Sequence, residues 1–228
     1  MTIRYKFWAL ALTFSMLAAP AMADDTEGAY VFITAGMSKM QNGCQSGWVT
    51  TTLPANAIGP VATCNENHAV FRAGVGYQYT PMWGLEASYG QFGSANSNGF
   101  TSLGGTPSSY EWQIKALGLA VQAVATMHMS EALSVFGKFG VASVDFDESL
   151  HTWNPNVPAT VSYTEWYPVV QTAKIAPALG AGVKYDVSPH GSVFVIGEYF
   201  GTHSIYDMYG TGSKVRLLSA SVGLMYKY

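Results

Sequence analysis

The last eleven residues, 218–228, read Leu-Ser-Ala-Ser-Val-Gly-Leu-Met-Tyr-Lys-Tyr. Every second residue from Leu218 to Tyr228 is apolar, and the last two of these are aromatic, whereas the residues between them are mostly serine, glycine or lysine. Successive side chains of a β-strand point to opposite faces, so this pattern predicts a strand with one apolar and one polar face. An apolar face that ends in aromatic residues is typical of a strand that faces lipid.

The same period of two recurs in seven further segments, which predicts eight strands in all. They lie within residues 30–37, 71–79, 83–90, 116–129, 133–141, 175–185 and 193–199. The connections at 80–82, 128–131 and 186–191 are tight, and those at 39–68, 93–111, 146–172 and 201–213 are long. Alternating short and long connections are typical of an up-and-down meander whose two ends face different compartments.

The face opposite the apolar one decides between two all-β architectures. A soluble β-sandwich needs charged residues along its water-facing positions, but these positions here hold mainly glycine, alanine and serine. No uninterrupted apolar run after the first 23 residues is long enough for a membrane-spanning helix. We therefore predict an all-β fold, an eight-stranded antiparallel up-and-down transmembrane β-barrel with lipid outside and a small polar interior.

The overall composition agrees with a chain that meets little water. Charged residues make up 11% of the chain, against roughly 25% in a typical soluble protein. The formal net charge is −3, which excludes a protein that binds nucleic acid through a basic surface, because such a surface must neutralise phosphates. We expect no nucleic-acid partner.

The first 23 residues have the three parts of a secretory signal peptide. Arg4 and Lys6 precede an apolar run at 7–17, and Ala21-Met22-Ala23 supplies a small-x-small cleavage site. An uncleaved anchor helix is the alternative, but the apolar run is short for a membrane span. We predict a signal peptide at 1–23 and a barrel domain at 24–228.

The chain has two cysteines, Cys44 and Cys64, in one segment rich in polar and turn residues. An exported chain folds in an oxidising compartment, where two nearby cysteines pair. A zinc site with His68 is the alternative, but two cysteines and one histidine at this spacing make a poor one. We predict a Cys44–Cys64 disulfide and no metal or other cofactor.

Four short motifs carry a resemblance to a known family. They are Gly28-Ala-Tyr-Val, Gly74-Val-Gly-Tyr77, Gly180-Ala-Gly-Val-Lys-Tyr185 and the terminal Gly223-Leu-Met-Tyr-Lys-Tyr228. With these motifs the chain resembles the small eight-stranded outer-membrane barrels of the OmpA/OmpX-like, porin-superfamily type. The resemblance implies an integral protein of the Gram-negative outer membrane. It also implies that Gly223, Tyr226 and Tyr228 form a C-terminal assembly signal, and that periplasmic chaperones and the barrel assembly machinery are partners during biogenesis.

The polar face carries five charged residues that we expect inside the barrel: Arg72, Glu86, Lys138, Lys184 and Glu198. Opposite charges buried together should pair, because an unpaired buried ion is costly. The cluster could form a gated ion path or a salt-bridged plug. We favour the plug, because the interior of an eight-stranded barrel is just wide enough for side chains.

Two basic residues, Lys115 and Arg216, break the apolar rule of the outward face. Each lies about a dozen residues from the tight-turn end of its strand, which places it at the outer rim of the membrane. Lysine and arginine there could bind lipopolysaccharide phosphates through charge-assisted hydrogen bonds, or could extend into water. Both interpretations remain open at this stage, and outer-membrane lipid is an expected partner in either case.

The long connections are the remaining candidates for function. Aromatic residues in or beside them could contact an extracellular ligand, or could pack the loops together: Trp48, Phe100, Trp112, Trp153, Tyr163, Trp166, Tyr167 and Tyr206. His203 and Ser204, near Glu198 and Asp207, suggest a hydrolase, but adjacent residues of a strand face opposite ways. We predict no catalytic residue and a non-enzymatic barrel that displays four surface loops, for envelope integrity or for surface and host contacts. A narrow channel for ions or small solutes is the alternative, and a lipid A-modifying enzyme is a remote one.

Overall fold

The computed structural model describes residues 27–45, 63–103, 106–153, 163–165, 175–206 and 212–228. The predicted signal peptide lies outside these residues. Ten strands are present, together with a short 3-10 turn at Gly43–Gln45. Their bounds are β1 Gly28–Gln41, β2 Thr63–Asn65, β3 Asn67–Gln78, β4 Trp83–Leu103, β5 Thr106–His128, β6 Leu133–Trp153, β7 Tyr163–Glu165, β8 Ile175–Asp186, β9 Gly191–Tyr206 and β10 Gly212–Lys227. Within the described ranges, no helix has the length and hydropathy needed to cross a membrane.

Eight of these strands close into a barrel. β1, β3, β4, β5, β6, β8, β9 and β10 pair antiparallel in chain order, and β1 closes the ring by pairing with β10 as well as with β3. Tyr30, for example, lies between Lys227 of β10 and Gly76 of β3. The short strands β2 and β7 add only to β4 and β6. The predicted eight-stranded antiparallel barrel is confirmed.

The three predicted tight turns lie at one end of the barrel, which we call the turn end. They occupy residues 79–82, 129–132 and 187–190, and β1 begins and β10 ends at the same end. Backbone hydrogen bonds such as Tyr79 N–H to Trp83 O, at 2.9 Å, close them. We call the opposite end the rim.

The predicted long connections at 93–111, 146–172 and 201–213 are partly wrong, because strands continue into all three. In the last of them, β9 runs to Tyr206, which pairs with Gly212 of β10. β4 and β5 remain paired from Gly93–Ala116 up to Leu103–Thr106, and β6 continues to Trp153. The exposed residues there, such as Asn98 and Asp147, are polar because this part of the wall lies above the lipid. Backbone pairing therefore continues where the period-two hydropathy signal has ended.

Two β-bulges change which residues point inward near the rim. In β4 the extra residue is Phe92, which keeps the inward parity of Glu86, and beyond it the parity switches so that Ala95 and Ser97 are buried. In β9 two residues, Phe200 and Gly201, lie opposite the single Leu217 of β10. Gly201 has φ +81°, a backbone conformation that favours glycine. Beyond the β9 bulge the inward-facing parity switches, and His203 is buried.

Candidate functional site in the barrel interior and at the rim

Two buried ion pairs bring together four of the five predicted interior charges. Arg72 of β3 pairs with Glu198 of β9 across the lumen, with β1 and β10 between the two strands around the ring, and Lys138 of β6 pairs with Glu86 of β4. All four side chains are almost fully buried. A buried pair with further hydrogen bonds is held firmly in place, because separating the partners leaves an uncompensated charge.

Aromatic rings enclose the cation of each pair. The Arg72 guanidinium carbon lies 4.7 Å from the ring centre of Phe200 and 5.4 Å from that of Phe92. The Lys138 ammonium lies 4.9–5.6 Å from three ring centres, those of Phe32, Phe136 and Phe194. Electrostatic attraction of a cation to an aromatic face stabilises both arrangements.

Glu86 has a second hydrogen-bond partner. The Tyr30 hydroxyl donates to Glu86 Oε1 at 2.8 Å, so the carboxylate accepts from both Tyr30 and Lys138. Gly76 makes room for the Tyr30 ring, which a Cβ at that position would overlap. Inward glycines on neighbouring strands similarly accommodate Phe32, Phe136 and Phe194. Sequence reasoning identified the charges but missed these aromatic partners, although Tyr30 and Phe32 share one parity of β1.

The interior nearer the rim is apolar, so the expected small polar interior is found only in the part of the lumen that holds the ion pairs. Trp112, predicted to lie in or beside a loop, is in β5 and buried in this cluster. Its larger members are Met40, Phe92, Trp112, Ile114, Val144, Phe146, Phe200, Val215 and Leu217. Phe92 and Phe200 stack edge to face, with ring centres 4.4 Å apart. We call this cluster the apolar plug. It lies on the rim side of the ion pairs, and both bulges, at Phe92 and at Phe200–Gly201, lie within its height.

A cavity of about 440 Å³ lies inside the barrel toward the turn end. Glu86, Lys138 and Tyr30 line its inner part. Lys184 also faces inward, but its ammonium nitrogen lies 3.2 Å from an Asp186 carboxylate oxygen, so it forms a third pair apart from the other four charges.

The predicted disulfide between Cys44 and Cys64 is present at the rim, with Cα atoms 6.0 Å apart. Glu66 Oε1 accepts a hydrogen bond from the Cys44 backbone N–H at 3.2 Å, and its backbone oxygen accepts one from Met40 N–H at 2.9 Å. The bridge therefore ties the 3-10 turn to β2 beside the plug. Over the described part of the chain, no group of three or more histidine, cysteine, aspartate or glutamate side chains could hold a metal ion.

The His203–Ser204 pair has no triad geometry. His203 is buried, its Nε2 lies 2.7 Å from the Phe200 carbonyl oxygen, and its ring packs 5.5 Å from that of Phe146. Ser204 has the opposite parity on β9, and Glu198 is already paired with Arg72. Asp207 lies outside the described residues, as do Trp48, Trp166 and Tyr167.

Lys115 and Arg216 both point outward, but on different sides of the barrel. Lys115 of β5 lies opposite Asp147 of β6, which is also exposed, whereas Arg216 of β10 lies opposite Gln41 of β1. Half the circumference separates β5 from β10. The two residues therefore cannot act on one headgroup.

The C-terminal residues form the turn end of β10. Tyr226 and Tyr228 face outward with their ring centres 5.3 Å apart. Gly223 faces inward, where a Cβ would overlap the Phe194 ring. The terminal pattern thus gives the strand an aromatic outer end and a narrow inner face.

The chain matches the family of the outer membrane protein beta-barrel domain over residues 9–228. It belongs to this family. Its fold is similar to that of Ail, the attachment invasion locus protein of Yersinia pestis, with 14% identity, a TM-score of 0.42 and coverage of 89% of this chain and 99% of that one.

Two further solved structures are similar in fold. OprG from Pseudomonas aeruginosa shares 12% identity, with a TM-score of 0.48 and coverage of 89% and 97%. The outer membrane protease OmpT from Escherichia coli shares 11% identity, with a TM-score of 0.40 and coverage of 92% and 99%. No curated protein matches this chain in sequence. The family and the closed barrel make the protein an integral outer-membrane barrel, so the turn end faces the periplasm and the rim faces the exterior.

Proposed function

We propose that this protein is a non-enzymatic scaffold whose closed barrel displays its rim and four surface loops, contributing to envelope integrity or to contacts with surfaces and host molecules. The filled lumen carries the proposal. The Arg72–Glu198 and Lys138–Glu86 pairs and the apolar plug occupy it in series. A barrel without a continuous water path can act only through its outer wall and its ends.

The length of three strands supports a role for the rim. A membrane-spanning strand needs roughly 9–11 residues, whereas β4, β5 and β6 have 21, 23 and 21 residues. The excess extends the β4–β5–β6 sheet beyond the lipid on the exterior side. A paired, rigid extension presents side chains to a ligand at a lower entropic cost than a flexible loop does.

A narrow channel is the second candidate, favoured by the cavity on the periplasmic side. Conduction would require two simultaneous changes, separation of the Arg72–Glu198 pair and displacement of the apolar plug, and each costs free energy. The display proposal needs neither movement. Periplasmic chaperones and the barrel assembly machinery belong to the proposal as biogenesis partners, on the strength of the family and the aromatic C-terminal strand.

Trimming the hairpin that links β4 and β5 tests the display role. Residues 98–111 would be replaced by an Asn-Gly turn, because Ser97 and Trp112 are paired and leave matched strand ends. Cells that make the trimmed protein should lose surface attachment or resistance to large antibiotics while the barrel still folds. The matched control is R72M/E198M, which alters the lumen and leaves the rim intact. A trimmed protein that equals the full chain in both assays would contradict the proposal.

A further inference from the structure

Three basic side chains lie together on the outer wall where β1 meets β10. Lys39 of β1 and Lys214 and Arg216 of β10 are all exposed, whereas Met40, Val215 and Leu217 beside them are buried in the interior. In the strand register, Lys39 lies opposite Leu218 and Gln41 lies opposite Arg216. Lys39 and Arg216 are therefore diagonal neighbours on one face. Such positions lie roughly 5–8 Å apart, and Lys214 continues the row along β10. We call these three residues the seam patch.

No carboxylate neutralises the seam patch within the described part of the chain. The ion pairs found there involve Lys138, Arg72 and Lys184, none of which belongs to the patch. Glu66, whose backbone oxygen accepts the N–H of Met40 beside Lys39, directs a carboxylate oxygen to the Cys44 N–H. The outward neighbours in register are the uncharged Gln41, Asn67 and Thr202.

The opposite side of the rim has the reverse charge. Lys115 lies opposite Asp147, and Asp145 and Glu111 are exposed on the same two strands. An anion approaching Lys115 would therefore meet carboxylates, whereas an anion at the seam patch meets cations and uncharged polar side chains. Of these two sides of the described rim, the β1–β10 seam is the one that attracts anions.

The height of the seam patch matches the outer headgroup level. Arg216 lies eleven residues along β10 from Lys227, which is roughly 28 Å above the turn end at the tilt typical of barrels. The apolar band of such barrels is about 25 Å tall. Directly below the patch, Leu218 and Met37 are exposed to lipid. The cations therefore emerge where the outer leaflet places its phosphates.

We propose that the seam patch binds the phosphate groups of lipopolysaccharide in the outer leaflet. The arginine fork can bind two phosphate oxygens at once, and the two lysines add point charges on either side. This site lies on the outer wall and does not depend on whether the lumen conducts or on what the loops contact. The predicted contact of Lys115 stays a prediction, and Asp147 makes Lys115 the natural comparison.

The test is a titration of the refolded barrel in uncharged detergent with purified lipopolysaccharide. The readout is the temperature at which the folded, faster-migrating gel band is lost. In K39Q/K214Q/R216Q, the lipopolysaccharide concentration for half-maximal stabilisation should rise roughly tenfold or more, as expected for lost charge-assisted hydrogen bonds. The comparison variant K115Q tests the separate prediction for Lys115, and it should shift the concentration less than the triple variant because Asp147 opposite Lys115 repels phosphate.

Further arms separate the sources of phosphate. Dephosphorylated lipopolysaccharide, phosphatidylglycerol and inorganic phosphate should each stabilise the wild type much less than intact lipopolysaccharide does. Equal stabilisation by phosphatidylglycerol would overturn the assignment to lipopolysaccharide. An unchanged response of the triple variant would overturn the site itself. If the triple variant does not refold, R216Q alone decides, with a smaller shift in the same direction supporting the site and no shift overturning it.

Discussion

Glu198 shows how a single residue holds the lumen together. Its carboxylate accepts from Arg72, whose guanidinium also packs against two phenylalanine rings. Desolvation of two charges is compensated only while both partners stay in place. Closure of the barrel at mid-height therefore rests on this pair and on the one that Glu86 forms with Lys138 and Tyr30.

Removing one partner should cost more stability than removing both. Glu198→Gln leaves the Arg72 charge without its carboxylate and should lower the free energy of unfolding by about 3–5 kcal/mol. The double variant R72M/E198M removes both charges and should lie near the wild type. Urea unfolding in lipid vesicles, followed by tryptophan fluorescence, measures both. A Glu198→Gln protein as stable as the wild type would show that Arg72 does not depend on the pair.

At the scale of elements, the two β-bulges separate what the sequence pattern predicts from what it does not. Strict alternation correctly places Arg72, Glu86, Lys138 and Glu198 on the inner face, because a period of two survives as long as the strand is regular. One extra residue in β4 or β9 shifts every later residue to the other face. The inward positions of Ala95 and His203 therefore could not be predicted by counting.

The pairing register of the strands could not be predicted from the period-two pattern either. Charges on the inner face can pair in more than one way, and only the stagger of the strands decides that Arg72 meets Glu198 while Lys138 meets Glu86. The alternating hydropathy signal likewise ends before backbone pairing does, so the sequence predicts loops where β4, β5 and β6 extend. The composition of a face is readable from sequence, but the stagger of strands and the end of pairing are not.

The β9 bulge can be tested at Gly201. Its φ of +81° disfavours any other residue, and a Cβ there would overlap Ala176. Gly201→Ala should therefore lower the free energy of unfolding by about 1–3 kcal/mol, in the same urea assay. The matched control is Gly197→Ala on the same strand, where nothing lies within 4 Å of the new Cβ. Equal effects of the two substitutions would contradict the importance of the bulge.

At the scale of the whole molecule, the outer wall divides the protein into regions with different tasks. Aromatic residues face outward at the periplasmic end, the seam patch lies near the exterior, and paired strands continue beyond it. The ion pairs and the apolar plug support this wall from the inside. Under the proposed function, the barrel is a rigid support for surface chemistry, because the ion pairs and the apolar plug fill the lumen above the cavity.

Assembly of the whole barrel should depend on its terminal aromatic residues. In Y226A/Y228A we expect less folded protein in the outer membrane of cells, because the terminal strand loses the feature that the assembly machinery is proposed to recognise. Refolding of the same purified variant in detergent should be nearly unchanged. Tyr185→Ala removes an outward tyrosine at the same end of β8 and is the control. If the control and the double variant lose equal amounts of folded protein in cells, the C terminus has no special role in assembly.

Single-channel recording of the refolded protein, from Asp24 onward, in a planar bilayer tests the sealed lumen most directly. A gel-mobility shift between unheated and boiled samples first shows that the barrel has formed. The filled interior predicts a folded barrel that stays silent under applied voltage. Discrete conductance steps that change when Lys138 or Glu198 is neutralised would contradict the sealed lumen and make the protein a narrow channel.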